Sequence, residues 1–305
     1  MRFFRLNLLY STLLLHLYHS TFTGIAGSHI YPQEQDMKFA SLLVLTLLAT
    51  SIHSASAQDL VLAINEGVTY QDNGPASERY KPLLQLLSKE LKQNVKLQSS
   101  DNAGFAKGLA ENKFDLAFIH AAYIGLLAVK KNGYEGLVTA KGYTDYRARV
   151  LVSGASPLKT MQDLRGKKIG VPSVDSITTV MFTANLRELS FPQPGKSFTA
   201  TRYQDAVPFM IDNGFVDAGI TGSAAVAKAW VAKGGRVLAE TKPIPVKQFL
   251  ASKKLSESDR EKLKNLLLNL SENEAGRNAL SKIGLNGFVS WNAQVMDEAT
   301  TRLGL

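Results

Sequence analysis

The sequence predicts an α/β protein built on largely parallel sheets. Three observations carry this. From Asp59 onward, short apolar runs alternate with amphipathic helical patterns. At 305 residues the chain is long enough for about two domains of ordinary size. Its 45% hydrophobic and 20% charged residues match a soluble globular fold rather than a disordered or membrane-embedded one.

Residues 37–57 read MKFASLLVLTLLATSIHSASA, with Lys38, an apolar stretch from Phe39 to Thr50 and the small triplet Ala55-Ser56-Ala57. This is the pattern of a secretory signal peptide, with cleavage expected before Gln58. A membrane anchor needs about 20 apolar residues, and this run is shorter. Arg2, Arg5 and the run from Leu6 to Tyr18 form a second, weaker export-like pattern upstream. Two export signals in series make little physical sense, so translation is expected to start at Met37 and residues 1–36 to be an upstream extension. The alternative is one long leader.

Candidate strands then follow at Leu60 to Ile64, Val95 to Gln98, Leu116 to Ile119, Val150 to Ser153, Lys168 to Val171, Ala218 to Thr221 and Val237 to Ala239. Between the first two, Tyr80, Leu83, Leu84, Leu87 and Leu91 share one face of a helix, and core packing is their expected role. Met161 to Leu164 read as a short helix broken by Gly166. Near the end, Ser258 to Glu261 fit a capping box ahead of Leu263, Leu266, Leu267 and Leu270. Helical patterns over 272–283 and 292–303 end the chain in helices.

Composition closes off much chemistry. The absence of cysteine removes disulfides, thiolate nucleophiles, Cys-ligated zinc and iron–sulfur clusters. Four of the five histidines precede Gln58, so a processed chain retains only His120, and neither a His-rich metal site nor any cofactor site is expected. Gly195-Lys196-Ser197 resembles the end of a phosphate-binding loop, but Ser190 stands where its first glycine belongs. No GxGxxG follows a strand, and no GxSxG elbow is present. The net charge of +9 is spread along the chain without a basic cluster, which argues against nucleic acid.

The positive signal lies between Lys168 and Thr179, where a strand enters a helix through Ser173, Asp175, Ser176, Thr178 and Thr179. Open backbone N–H groups and the positive end of the helix dipole can bind an anion there, with hydroxyls completing its shell. Ser and Asp also cap helices, and on this stretch alone capping is the more economical reading.

Four blocks extend the signal over the chain that follows Gln58: YKPLLQLLSKEL at Tyr80 to Leu91, FDLAFIHAAYIGLLA at Phe114 to Ala128, RARVLVSGASPLKTMQDLRGKKIGV at Arg147 to Val171, and DAVPFMIDNGFVDAGIT at Asp205 to Thr221. In this order they resemble the phosphate/phosphite/phosphonate-binding family of periplasmic substrate-binding proteins. The resemblance implies a type II periplasmic binding protein, a two-lobed flytrap that closes on its ligand. Lobe one takes residues 58–146 plus 240–305, and lobe two takes 147–239. It further implies a monomeric periplasmic protein that captures a small anion and delivers it to an ABC permease.

Carried over residue by residue, the family's hydroxyl cluster falls on Ser176, Ile177 and Thr178, followed by Thr179, so the middle hydroxyl is missing. The family's cleft tyrosine falls on Tyr123. Its lobe-two histidine falls on Gln204, and its acidic residue falls on Gly222. Two groups that recognise the phosphonate and amino ends are therefore replaced. The ligand set expected here is Ser173, Ser176, Thr178, Thr179, Tyr123, His120 and Gln204.

His120 directly follows a strand end, where open α/β sheets bind ligands. It is expected either to donate to an anion, adding charge when protonated, or to cap the helix beginning near Ala121. Tyr70, Tyr146 and Glu66 are weaker candidates. Two other functions share the fold: a sensory protein that reports ligand to a membrane receptor, and a small-metabolite enzyme with His120 or Glu66 as base.

Overall fold

The computed structural model describes residues 58–66, 75–201 and 203–305. The expected leader and Tyr70 lie outside the described residues. The chain opens with β1 (Leu60–Asn65), α1 (Ala76–Leu91), β2 (Val95–Ser99), α2 (Asn102–Ala110), β3 (Leu116–Ile119), α3 (Ala122–Lys131) and β4 (Tyr134–Ala140). It continues through β5 (Arg149–Val152), a 3-10 turn at Met161–Leu164, β6 (Ile169–Val171), α4 (Ile177–Glu188), β7 (Phe198–Ala200), α5 (Ala206–Asp212), β8 (Ala218–Thr221), α6 (Ala224–Ala232) and β9 (Arg236–Glu240). It closes with β10 (Gln248–Ser252), α7 (Glu257–Leu268), α8 (Glu274–Lys282), β11 (Phe288–Ser290) and α9 (Ala293–Leu303).

Two sheets result. The first has the order β11-β4-β10-β3-β1-β2 and the second β7-β6-β8-β5-β9. In each, three strands pair in parallel and the next strand is antiparallel to its neighbours: β10 against β3 and β4, β5 against β8 and β9. That strand always arrives from the other sheet, so the chain crosses between the sheets twice. The two crossings pair with each other. Tyr146 and Ile244 exchange backbone hydrogen bonds of 3.2 and 3.0 Å, and the Val246 N–H donates to the Tyr143 carbonyl at 2.9 Å.

The helix patterns find their expected partners. Tyr80, Leu83 and Leu87 of α1 are buried against β1, β3, α7 and α8 in the core of the first sheet. Each such apolar side chain stabilises the fold by about 1.5–3 kcal/mol on burial. The cap of helix α7 lies two residues before the expected one: Ser256 replaces Ser258 and accepts from the Asp259 N–H at 3.1 Å. Helix α9 departs from the expectation that the C-terminal helices pack on lobe one. Its Met296, Ala299 and Leu303 join a core with Ile177, Met181 and Phe182 of α4 and with Ala122 and Leu126 of α3. That core therefore runs from the second sheet into the first lobe.

Candidate functional site

The C-terminal ends of β1, β2, β3, β6 and β8 converge on one cleft. This is where open α/β sheets bind ligands, because helix N-termini and loops leave their polar backbone groups there. The cleft has two chambers. One, of about 300 Å³, runs from Asn65 and Ser99 across His120 to Ser173, Ile177 and Thr178. The other, of about 510 Å³, lies on the hinge side between Arg79, Tyr146, Arg149 and Lys247. Glu66, His120 and Gln204 line both.

Of the seven expected ligand residues, His120, Ser173, Ser176, Thr178 and Gln204 line the first chamber, while Tyr123 and Thr179 do not. The hydroxyls at the start of α4 mostly serve the loop itself. The Ser176 Oγ accepts from the Thr179 N–H at 3.2 Å, which makes Ser176 a genuine helix cap, and donates to the Ser173 carbonyl at 3.0 Å. The Thr179 hydroxyl also donates to the Ser173 carbonyl. Thr178 Oγ1 pairs with the Tyr146 hydroxyl at 2.7 Å. What remains for a ligand is backbone: among the described residues, the Ile177 and Thr178 N–H groups make no hydrogen bond. They sit at the positive end of α4.

Three carboxylates also line this chamber, and each is already engaged. Asp101 caps α2 by accepting from the Gly104 N–H at 2.8 Å. Asp175 accepts from Ser173 and from the Asn102 amide, the latter at 3.0 Å. Glu66 receives the Arg79 guanidinium and, at 2.9 Å, the Tyr80 hydroxyl. Burial pushes the Glu66 carboxyl up, but the hydrogen bonds from Arg79 and Tyr80 outweigh it and hold it below its ordinary value. It is therefore a paired anion.

His120 does not take one of its two expected roles. Helix α3 is capped at Ala121 with no side-chain hydrogen bond, so His120 is not its cap. Its ring stands edge-on to Tyr146, centroids 5.4 Å apart, and its Nδ1 is sealed from solvent without a partner among the described residues. Burial, with Lys247 adding repulsion, pushes the imidazole down to about 3. Burial therefore disfavours the charged form of the ring and with it the role of countercharge, while the neutral ring keeps one N–H to donate.

Gln204 and Gly222, where the resemblance loses its histidine and acid, are explained by packing. The Gln204 Oε1 accepts from the Thr221 hydroxyl at 2.9 Å and from the Gly222 and Ser223 N–H groups at 2.6 and 3.0 Å, so it braces the β8–α6 turn. A Cβ added at Gly222 would stand 1.7 Å from the Tyr146 hydroxyl. No side chain fits there.

Sequence reasoning missed the hinge-side cations. Arg147 and Arg149 flank the first crossing, and Lys247 ends the second, directly before β10. Lys247 has φ 57°, the left-handed region that costs a side-chain-bearing residue about 1–3 kcal/mol. Its ammonium stands 4.8 Å from the centre of the Tyr143 ring. The signal was faint: isolated basic residues at the two crossovers, one of them between Pro245 and a strand.

No group of three or more His, Asp or Glu side chains is placed to hold a metal ion among the described residues. No helix among them is long and apolar enough to cross a membrane.

Residues 68–295 match the family of ABC transporter, phosphonate, periplasmic substrate-binding proteins, and the chain belongs to that family. Comparison with curated proteins yields no match. Among solved structures, a Xanthomonas citri protein bound to ATP has a TM-score of 0.68 at 14% identity, covering 80% of this chain and 96% of its own. PhnD1 from Prochlorococcus marinus in complex with methylphosphonate has a TM-score of 0.62 at 16% identity, over 80% and 96%. The periplasmic aliphatic sulphonate binding protein SsuA from Escherichia coli has 0.55 at 16% identity, over 80% and 90%. These likenesses carry the fold, that of a type II periplasmic binding protein. The family is one of transport binding proteins, and nothing supports the sensory or enzymatic alternatives.

Proposed function

We propose that the protein captures a small phosphonate-, phosphite- or phosphate-like anion between its lobes and delivers it to an ABC permease. One observation supports this above the rest: Ile177 and Thr178, whose N–H groups at the start of α4 make no hydrogen bond among the described residues, line a chamber whose carboxylates are all engaged. An anion is the ligand such donors favour. On this reading residues 58–146 and 240–305 move as one body and 147–239 as the other, and the protein acts as a monomer.

Calorimetry of the purified protein with phosphate, phosphite and methylphosphonate tests the ligand class. At least one should bind saturably, and heats no larger than dilution for all three would overturn it. Ile177→Pro deletes one of the two donors at the first helical position, where proline is accommodated, and Ser176 before it is already extended at φ −70°, ψ 146°. Because Ile177 is buried, Ile177→Ala is the packing control. The proline variant should bind more weakly than the alanine variant by about 1.5–3 kcal/mol, the range for a hydrogen bond to a charged group.

Export to the periplasm through residues 37–57 completes the proposal. The exported protein should have the intact mass of a chain beginning at Gln58. Recovery of a species that retains Met37 would contradict it.

A further inference from the structure

The hinge-side chamber carries a charge that the first chamber lacks. Of its four cations, three are matched: Arg79 by Glu66, Arg147 by Asp145 at 2.9 Å, and Arg149 by Glu240 at 2.9 Å. Lys247 is not. Among the described residues its ammonium makes no ion pair or hydrogen bond, only the ring contact with Tyr143. Glu66 attracts it and Arg79 repels it, and those two already satisfy each other. A partly buried ammonium with no anion of its own is a cost that a bound anion would offset.

The carboxylates that line the chamber, Glu66 and Asp145, are already paired with Arg79 and Arg147. Position 222, where the resemblance implies an acid for a ligand's amino end, is closed to any side chain by the Tyr146 hydroxyl. That hydroxyl bonds to Thr178 of the first chamber, and His120 and Gln204 face both chambers. The two chambers therefore adjoin, sharing Glu66, His120 and Gln204.

We infer that the hinge-side chamber binds a second anionic group of the same ligand, with Lys247 as its countercharge. The solute class is then a phosphonate or phosphate ester bearing a further carboxylate or phosphoryl group, not an aminoalkylphosphonate. This rests on the reading of the first chamber as an anion site.

The test is calorimetry at constant pH with methylphosphonate, phosphonoacetate, 3-phosphonopropanoate and 2-aminoethylphosphonate, on the wild type and on Lys247→Met and Lys247→Arg. At least one of the two carboxylated ligands should bind about tenfold or more tighter than methylphosphonate, a gap of about 1.4 kcal/mol. Lys247→Met should abolish that advantage while leaving methylphosphonate within about twofold, which also shows that the variant is folded, and Lys247→Arg should retain most of it. Equal or tighter binding of 2-aminoethylphosphonate by the wild type would overturn the inference and leave the anion site standing. So would a Lys247→Met variant that weakens every ligand alike or none. Absence of binding by all four ligands would overturn both.

Discussion

His120 follows β3 at the edge of the cleft, with its N–H bonded to the Asn65 carbonyl at 2.8 Å and its ring against Tyr146. In the unfolded chain a histidine titrates near about 6.5, whereas burial pushes this one down to about 3. Folding therefore requires the neutral ring. The stability this contributes is fully present above about pH 6.5 and is lost as pH falls toward the folded value near 3. Denaturant unfolding at pH 7 and pH 5 should show His120→Gln losing about 1–2 kcal/mol less than the wild type over that interval. Equal losses would place His120 in a solvated environment. Ligand affinity, at constant ligand charge, should show no dependence on this residue's titration. From sequence, a lone histidine at a strand end is the natural candidate for a countercharge. Its sealing by Tyr146 comes from a segment 26 residues away and leaves no trace in the local pattern. Lys247 is the converse, an inconspicuous lysine that acquires meaning only when the crossings bring it beside Tyr143.

Helices α2 and α3 both begin at the cleft and both reach the opposite wall. The Asn102 amide donates to the Asp175 carboxylate and carbonyl at 3.0 Å, and the Tyr123 hydroxyl donates to the same carbonyl at 3.0 Å. Tyr123, expected as a ligand residue, forms with Asn102 a hydrogen-bonded latch across the cleft. Asn102→Ala and Tyr123→Phe should each weaken ligand binding by about 0.5–1.5 kcal/mol, the net worth of an ordinary hydrogen bond. Because they share Asp175, their effects should not add in the double variant. Unchanged affinity in both would show that the latch plays no part in closure. At this scale the sequence was informative wherever periodicity was long. Helix α1 and strands β3 and β8 lie where their apolar patterns put them. Strand β10 escaped notice because its buried Gln248 and Ser252 interrupt the apolar run, although both are fully enclosed. Strand β4 was hidden by Gly136, which is small because Trp291 packs on it; an added Cβ would lie 2.2 Å from the indole. Strands β7 and β11 span only three residues each, too few for a period to register.

At the scale of the whole molecule, two sheets are joined by paired crossings at 141–148 and 241–247, and the cleft lies at the C-terminal ends of their parallel strands. Its general form was legible from the order of the four sequence blocks, since the strands and helices within them carry local apolar patterns. The joint was not legible, because it is made by residues that meet only after both crossings pair. Helix α9 belongs to that joint. Past its end, the Lys130 ammonium of α3 donates to the Leu305 carbonyl at 2.7 Å, and the Arg187 guanidinium of α4 donates to the Leu303 carbonyl at 2.8 Å. The final three residues are thus gripped from α3 and α4 at once. On the proposed closure of the lobes, a dye or reporter fused to that end would register solute capture from outside the cleft.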